Sequence, residues 1–463
     1  MILKEFYKNK KVLVMGLGIC GGGAAVASWF SKNGAKVTVA DLKSKRQLSE
    51  SMMKLKGLPI KFIFGKHKRR DFVGYDLVVQ NPAVPNDSKF LKIARSSGAQ
   101  IENEATLFFK LHNPKKIIAV TGTRGKSTVS TLIQKILCQK YKNILLAGNI
   151  AKLPMLEAVE KINKNEMVIL ELSSWHLERL QASRVSPFLA VITNLMPDHL
   201  NRYSTLNRYY QAKKNIMQYQ DSSDFAILNK DCALLANLEK KYDSKKIWFS
   251  KNKMIQDGIY FHNGNFFWQQ NKKSSKIVSI KVLRLKGSHN IENAMAALAV
   301  AKILNLNNSQ IARGLKSFSG LGGRLEVVQK ENGITFVNDT TSTTPEAAIA
   351  ALKTFPPKRV ILIAGGSDKK LKFQNLAYEI KKSCKRVILF KGEGSIKIRK
   401  SLLRVGYKRI IGNVATMRRA LSYARQAAVE GDIVLLSPAC ASFGLFANEF
   451  DRGRQFKKIL TRK

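Results

Sequence analysis

Eight consecutive residues, Thr121-Gly122-Thr123-Arg124-Gly125-Lys126-Ser127-Thr128, join a glycine turn, a lysine and several hydroxyls. Backbone N–H groups of such a turn can cradle phosphate oxygens, the lysine can neutralise them, and a hydroxyl at the start of a helix can hold Mg²⁺. Apolar Ile117–Val120 precede the loop, and Val129, Leu132, Ile133, Ile136 and Leu137 follow at helical spacing. The stretch therefore reads as strand, phosphate loop and helix. Val120 stands where a strict phosphate-loop pattern has glycine, and the functional part is intact. An ATP site is predicted over Gly122, Thr123, Arg124, Gly125, Lys126, Ser127 and Thr128.

A second glycine loop opens the chain: Gly16-Leu17-Gly18-Ile19-Cys20-Gly21 follows the apolar run Val12–Met15. Asp41 lies 20 residues past Gly21, at the end of another apolar run. This spacing suits a pyrophosphate at a helix N-terminus and an acid facing a ribose hydroxyl. A UDP-sugar offers those groups as well as a nicotinamide cofactor does. A glycine turn needed only for tight packing has the same letters.

Three more residues carry possible chemistry. Glu171 ends the apolar run Met167–Leu170, where an acid can hold Mg²⁺ or cap the next helix. His199, in Pro197-Asp198-His199-Leu200-Asn201-Arg202, follows a strand, a place where histidine is more often packed than ligating. Lys213 reads by pattern alone as one more solvated lysine.

The elements that must position these residues form three α/β regions within 463 residues. Each shows short apolar strands ending in glycine or small residues and followed by helical pattern, the mark of parallel α/β units. The predicted fold class is α/β with three domains: an N-terminal Rossmann-like domain over 1–104, a central phosphate-loop domain with a parallel sheet over 105–320, and a C-terminal Rossmann-like domain over 321–463. Strands are predicted over Arg359–Ala364, Arg386–Phe390 and Asp432–Leu436 in the third. The Ser319–Gly323 cluster reads as a hinge. Within the central region, Asn263-Gly264 between aromatic runs predicts a hairpin and with it a small antiparallel sheet.

Composition excludes several classes. At 45% hydrophobic and 24% charged the chain is neither disordered nor collagen-like. Its five cysteines, Cys20, Cys138, Cys232, Cys384 and Cys440, are scattered without a CxxC pair, which fits a reducing cytoplasm and no cysteine-built zinc site. The basic start and apolar Val12–Ala27 imitate a signal peptide, but glycines interrupt the run, and no membrane span is predicted. The net charge of +48 would attract polyanions, yet the lysines are spread along the whole chain and no nucleic-acid-reading module is visible. No dedicated nucleic-acid partner is therefore expected.

In order along the chain stand Thr121–Thr128, Glu171-Leu172-Ser173-Ser174, Asp198-His199 with Arg202, Ala212-Lys213, His289–Asn293, Gly323-Arg324-Leu325-Glu326, Asn338-Asp339 and Leu436–Ser442. Together they resemble the Mur ligases, the ATP-dependent amide-forming enzymes of peptidoglycan assembly, over the whole chain. The first glycine loop and the last motif resemble the member of that family that adds glutamate to UDP-N-acetylmuramoyl-L-alanine. The resemblance implies an acyl-phosphate mechanism with ATP, glutamate and the UDP-linked substrate as partners, two Mg²⁺ ions, and a cytoplasmic monomer. It gives catalytic roles to Lys126, Glu171, His199 and Lys213. Ser127, Glu171, His199 and Lys213, the last as a carbamate, would be the metal ligands. Asn293, Arg324 and Asp339 would join the ATP site. Gly18, Ile19, Cys20, Asp41, Asn149, Ser173 and His199 would meet the UDP-linked substrate. Thr343, Lys369 and Ser442 would form the amino-acid site. Carbamylation needs the neutral amine, only about 0.04% of an ordinary lysine at pH 7, so Lys213 is expected to be buried.

The chain departs from the family pattern at several places. Arg124 replaces a common asparagine and could still face phosphate, His176 stands where a glutamine often contacts substrate, and Glu449-Phe450 reverses a common order. Thr341 occupies the lysine position of the commoner Asn-Asp-Ser-Lys-Ala-Thr form, which leaves D- and L-glutamate open. Three other readings stand beside the leading one: a related amide ligase with another amino acid or folate, a nicotinamide-dependent oxidoreductase built on Gly16–Asp41, and a nucleic-acid-binding ATPase. The oxidoreductase leaves the second glycine loop and Glu171 unexplained, and the ATPase rests on charge alone.

Overall fold

The computed structural model describes residues 6–461 except 20, 150–152, 199–201, 239–240 and 286. Its chain forms two compact units, Met1–Val282 with Glu292–Ser317, and Leu283–Ile291 with Phe318–Lys463. The first unit carries two sheets and the second unit one.

The first sheet has the order β3-β2-β1-β4-β5, built from β1 (Lys11–Met15), β2 (Lys36–Asp41), β3 (Ile60–Phe64), β4 (Leu77–Gln80) and β5 (Gln100–Glu102). All its pairings are parallel. Val12, Leu13 and Val14 are buried, as the continuous apolar run of a central parallel strand requires. The chain leaves β1 toward β2 and β3, then crosses back to β4. This switch point opens a crevice at the carboxyl ends of β1 and β4, where the first glycine loop lies.

The second sheet has nine strands in the order β14-β13-β12-β11-β10-β9-β6-β8-β7. Its parallel part comprises β6 (Ile117–Thr121), β7 (Leu145–Gly148), β8 (Val168–Glu171), β9 (Leu189–Ile192), β10 (Phe225–Asn229) and β11 (Lys245–Ser250). The aromatic hairpin is present as β12 (Gly258–His262) and β13 (Asn265–Gln270), turning at Asn263 (φ 45°) and Gly264 (φ 71°), with β14 (Lys273–Ser279) beyond. These antiparallel strands are not a separate layer. β12 pairs in parallel with β11, so they extend the same sheet.

The second unit's sheet runs β15-β16-β20-β17-β18-β19. Its strands are β15 (Glu326–Glu331), β16 (Ile334–Asn338), β17 (Val360–Ala364), β18 (Cys384–Phe390), β19 (Ile410–Val414) and β20 (Ile433–Leu436). The three predicted strands appear here as β17, β18 and β20, each within two residues of its predicted ends. The hairpin β15–β16 was not predicted, and it adds an antiparallel edge whose charged β15 blunts further pairing. Among the described residues no helix is long and apolar enough to cross a membrane.

Candidate functional site

Parallel strands deliver their carboxyl ends to one side of a sheet, and three adjacent strands of the nine-stranded sheet do so here. The phosphate loop leaves β6, Glu171 ends β8, and Thr193-Asn194 follow β9. Gly122 takes φ 144°, and a Cβ on it would meet the Thr193 hydroxyl at 1.9 Å. Gly125 takes φ 82°, and a Cβ there would meet Asn293 Oδ1 at 2.3 Å. Both glycines are thus required by close approach as well as by backbone conformation. Asn293, in the helix His289–Ile303, is the one nucleotide-assigned residue from outside the loop that this unit places against it.

Residues that pattern reasoning passed over hold the loop. The Thr193 hydroxyl and the Asn194 amide donate to Arg124 O at 2.5 and 3.2 Å, and Asn194 Oδ1 accepts from Arg124 N–H at 2.9 Å. The Thr123 hydroxyl accepts from the Tyr209 hydroxyl at 3.2 Å and from Met196 N–H at 3.0 Å. Neither Asn194 nor Tyr209 lies in a spacing that advertises such a role. The Arg124 guanidinium pairs with Asp198 at 3.3 Å, so the cation that replaces asparagine braces the segment that runs on to His199. His199 itself lies outside the described residues.

Lys126 begins the helix Lys126–Leu137, with Ser127 and Thr128 behind it in the first turn. Its ammonium folds back over the loop, donating to Gly122 O at 3.0 Å and Thr123 O at 3.2 Å. Lys213, in the helix Leu206–Lys214, is 2% exposed and donates to the same Gly122 O at 2.9 Å. It also lies 4.8 Å from the Tyr209 ring. The solvated-surface reading of Lys213 is therefore incorrect. Burial pushes its pKa well down, and the Lys126 charge pushes the same way.

Glu171 is 1% exposed. Its Oε1 accepts from Asn149 Nδ2 at 3.0 Å, while its buried Oε2 has no hydrogen-bond partner among the described residues. An orphaned, buried carboxylate oxygen beside a phosphate loop fits a cation ligand. Among the described residues no group of three or more histidine, cysteine, aspartate or glutamate side chains is placed to hold a metal. The donor set predicted here differs in kind, since it mixes Glu171 with Ser127, a modified lysine and a histidine beyond the described residues.

The other UDP-assigned residues gather at two places. Gly16, Gly18 and Gly21 take φ of 96°, 66° and 89°, and a Cβ on Gly23 would meet Gly16 O at 2.4 Å. Asp41 is buried beneath this turn. Its Oδ2 accepts from Leu17 and Gly18 N–H at 2.9 and 3.0 Å, and its Oδ1 accepts from Lys43 N–H at 2.9 Å. The acid thus builds the glycine loop, and Oδ1 retains a lone pair for a further donor. Ile19 is 50% exposed at the loop tip, and Cys20 lies outside the described residues. At the second place, Asn149 sits on Glu171, and Ser173 caps the short helix Ser174–Leu177 by accepting from His176 N–H at 3.3 Å. His176 turns its Nδ1 back onto Ser173, and burial holds it at about 4. It is a neutral element of the cap.

The two places are tied together. Arg202 donates to Ala83 O and Val84 O at 3.2 and 3.3 Å and pairs with Glu178 at 3.2 Å, while its guanidinium lies 4.9 Å from the Trp175 ring. Asn86 donates to the same Glu178 oxygen at 2.7 Å.

In the second unit, strand carboxyl ends again bring the assigned residues together. Asp339 follows β16 and accepts from the Ser437 hydroxyl, beyond β20, at 2.8 Å. Burial raises its carboxyl to about 6 against the pull of its hydroxyl partners and Arg324. Lys369 donates to the Thr343 hydroxyl at 3.1 Å. Ser442 is 3% exposed in a loop that pairs through Ala441 with Ser367. Arg452 was not foreseen. It is fully buried, donates to Thr340 Oγ1, Thr340 O and Cys440 O at 3.0, 2.8 and 3.5 Å, and so joins the Asp339 and Ser442 loops.

Three family models match the chain in order: Mur ligase MurD-like, N-terminal domain, at residues 10–103; Mur ligase middle domain at 120–301; and Mur ligase, glutamate ligase domain, at 323–440. The chain is 40% identical to a UDP-N-acetylmuramoylalanine--D-glutamate ligase of Roseiflexus sp. (strain RS-1), covering 98% of both chains. It is 37% identical to the protein of the same name from Borreliella afzelii (strain PKo), again over 98% of each. Among solved structures it resembles the UDP-N-acetylmuramate-alanine ligase of Thermotoga maritima, with a TM-score of 0.62 and 21% identity over 98% of this chain and 99% of that one. The chain belongs to the Mur ligase family. It is an ATP-dependent amide ligase of the three-domain α/β Mur architecture, and the nicotinamide and nucleic-acid readings fall away.

Proposed function

We propose that the chain adds D-glutamate to UDP-N-acetylmuramoyl-L-alanine in the cytoplasm, acting as a monomer with domains over 1–104, 105–320 and 321–463. The observation that carries the reading is the burial of Lys213 on Gly122 O, within electrostatic reach of Glu171 and beside the phosphate loop. A lysine placed there as a cation would oppose Mg²⁺. As a carbamate it would join Ser127, Glu171 and His199 in holding two such ions. When bound, Mg²⁺ supplies positive charge at the γ-phosphate and the substrate carboxylate.

The substrate's alanyl carboxylate attacks the γ-phosphorus of ATP, the bond to the bridging oxygen breaks, and ADP leaves. The amine of glutamate then attacks the acyl-phosphate carbon, and inorganic phosphate departs as the amide forms and the amine loses its proton. Lys126 and the loop N–H groups stabilise the phosphoryl oxygens through this transfer. Asn293, Arg324 and Asp339 hold the nucleotide. Gly18, Ile19, Cys20 and Asp41 bind the UDP part, and Asn149, Ser173 and His199 meet the muramoyl end. Thr343, Lys369 and Ser442 receive glutamate, with the Lys369 ammonium matched to its side-chain carboxylate.

Phosphate release from ATP with UDP-N-acetylmuramoyl-L-alanine, measured with D-glutamate, L-glutamate and no amino acid, tests the reading. Release dependent on the D isomer is expected. Release with L-glutamate alone would move the specificity, and silence with all three would overturn the substrate.

A further inference from the structure

Thr341 stands where the family's commoner motif has lysine, and its side chain is committed to one contact. The carbonyl oxygen of Gly323 accepts twice from it, from the Thr341 N–H at 3.2 Å and from the hydroxyl at 2.9 Å. The N–H of Gly323 donates to Glu326 Oε2 at 2.8 Å, and that oxygen also takes Asn338 Nδ2 at 3.1 Å. On the far side of Arg324, the N–H of Leu325 donates to Asp339 Oδ1 at 3.2 Å. Arg324 is therefore flanked by two residues that are both tethered to the Asn338–Thr341 segment.

The tethers hold a turn that would not persist alone. Gly323 has φ 75°, and Leu325 has φ 46°, a left-handed conformation disfavoured for leucine. A Cβ on Gly323 would come within 3.0 Å of Thr340 Cγ2, so the turn lies flat on the segment beneath it. A lysine at 341 carries its only side-chain donor at the end of a four-carbon stem, so it has no γ-position donor to offer Gly323 O as the Thr341 hydroxyl does.

We propose that Thr341 is a positioning residue for nucleotide binding. Its hydroxyl fixes the Gly323 carbonyl, and with it the backbone from which Arg324 extends. The proposal rests on the reading of Arg324 as a nucleotide contact.

Thr341→Val keeps the side-chain shape and removes the donor, and Thr341→Ser restores the donor. In the full chain, amide hydrogen exchange over residues 323–325 is expected to rise about tenfold in Thr341→Val, with the KM for ATP up about fivefold and kcat within about twofold, as loss of one hydrogen bond implies. Thr341→Ser should match the parent in all three. If the valine variant does not fold, Thr341→Ala read against Thr341→Ser makes the same comparison. Unchanged exchange overturns the tether, and raised exchange with an unchanged KM overturns the positioning of Arg324. Exchange needs no nucleotide, so a parent protein that fails to turn over ATP refutes the ligase reading without deciding the tether.

Discussion

Lys126 and Lys213, which are 87 residues apart in sequence, donate their side-chain nitrogens to one acceptor, the carbonyl oxygen of Gly122, at 3.0 and 2.9 Å. Two ammonium groups on one oxygen repel each other, and Lys126 has further carbonyl support from Thr123 O at 3.2 Å. The repulsion and the burial act on Lys213 in the same direction, toward the neutral amine. That is the form that reacts with carbon dioxide.

Carbon-13 NMR of protein equilibrated with labelled bicarbonate should show a carbamate resonance that Lys213→Ala lacks. The same substitution is expected to lower kcat/KM by at least about a hundredfold, the scale of losing a metal ligand together with its second-shell order. Lys213→Arg should not rescue it, because guanidinium stays charged and forms no carbamate. A fully active arginine variant would refute the assignment.

Glu171→Gln removes a charge whose Oε2 has no hydrogen-bond partner among the described residues, while keeping the shape that Asn149 contacts. The Mg²⁺ concentration for half-maximal phosphate release should rise about tenfold. The melting temperature without Mg²⁺ should rise slightly, because an unpaired buried charge costs stability. A variant melting well below the parent would show Glu171 to be a structural acid.

His176 is held at about 4 by burial, against 6.5 in an exposed setting. Between those values the unfolded chain takes up a proton that the folded one refuses. Stability therefore falls as pH drops from about 6.5 toward 4, by at most about 3 kcal/mol from this residue. Urea titrations across that range should show a flatter profile for His176→Gln than for the parent. Parallel profiles would mean that His176 is protonated in the fold.

Arg452→Met keeps much of the volume but leaves Thr340 O and Cys440 O without the guanidinium. A loss of about 2–4 kcal/mol in stability is expected from the unsatisfied buried acceptors. The KM for glutamate should rise more than the KM for ATP, since the Cys440 loop runs on to Ser442. Equal rises would spread its effect over both loops, and a rise in the KM for ATP alone would place it on the Asp339 loop.

Much of the architecture was legible because parallel α/β units write themselves plainly. Buried strands such as Val12–Met15 and Ile117–Thr121 are continuous apolar runs, and the turns that follow need glycine where the backbone takes positive φ. The hairpin at Asn263-Gly264 was legible for the same reason. Its membership of the nine-stranded sheet was not, because pairing with β11 leaves no mark on either strand. The hairpin β15–β16 was missed because an edge strand rich in Glu, Gln and Lys looks like solvated loop.

By itself the sequence determined where the glycine turns must form, since Gly122, Gly125, Gly16 and Gly18 adopt positive-φ conformations that other residues rarely take. Only the tertiary structure decided what Lys213, Asp41, Arg124 and Thr341 do. Lysine is mostly exposed, and only the packing of the helix Leu206–Lys214 against the phosphate loop makes this one buried and its charge costly. Asp41 and Arg124 each read as residues that could face a ligand, and the fold also engages them within the protein, Asp41 in the glycine turn and Arg124 with Asp198. A side chain's type limits the bonds it can make, but which partner lies within 3 Å depends on strands and helices distant in sequence, and spacing along the chain does not encode that distance.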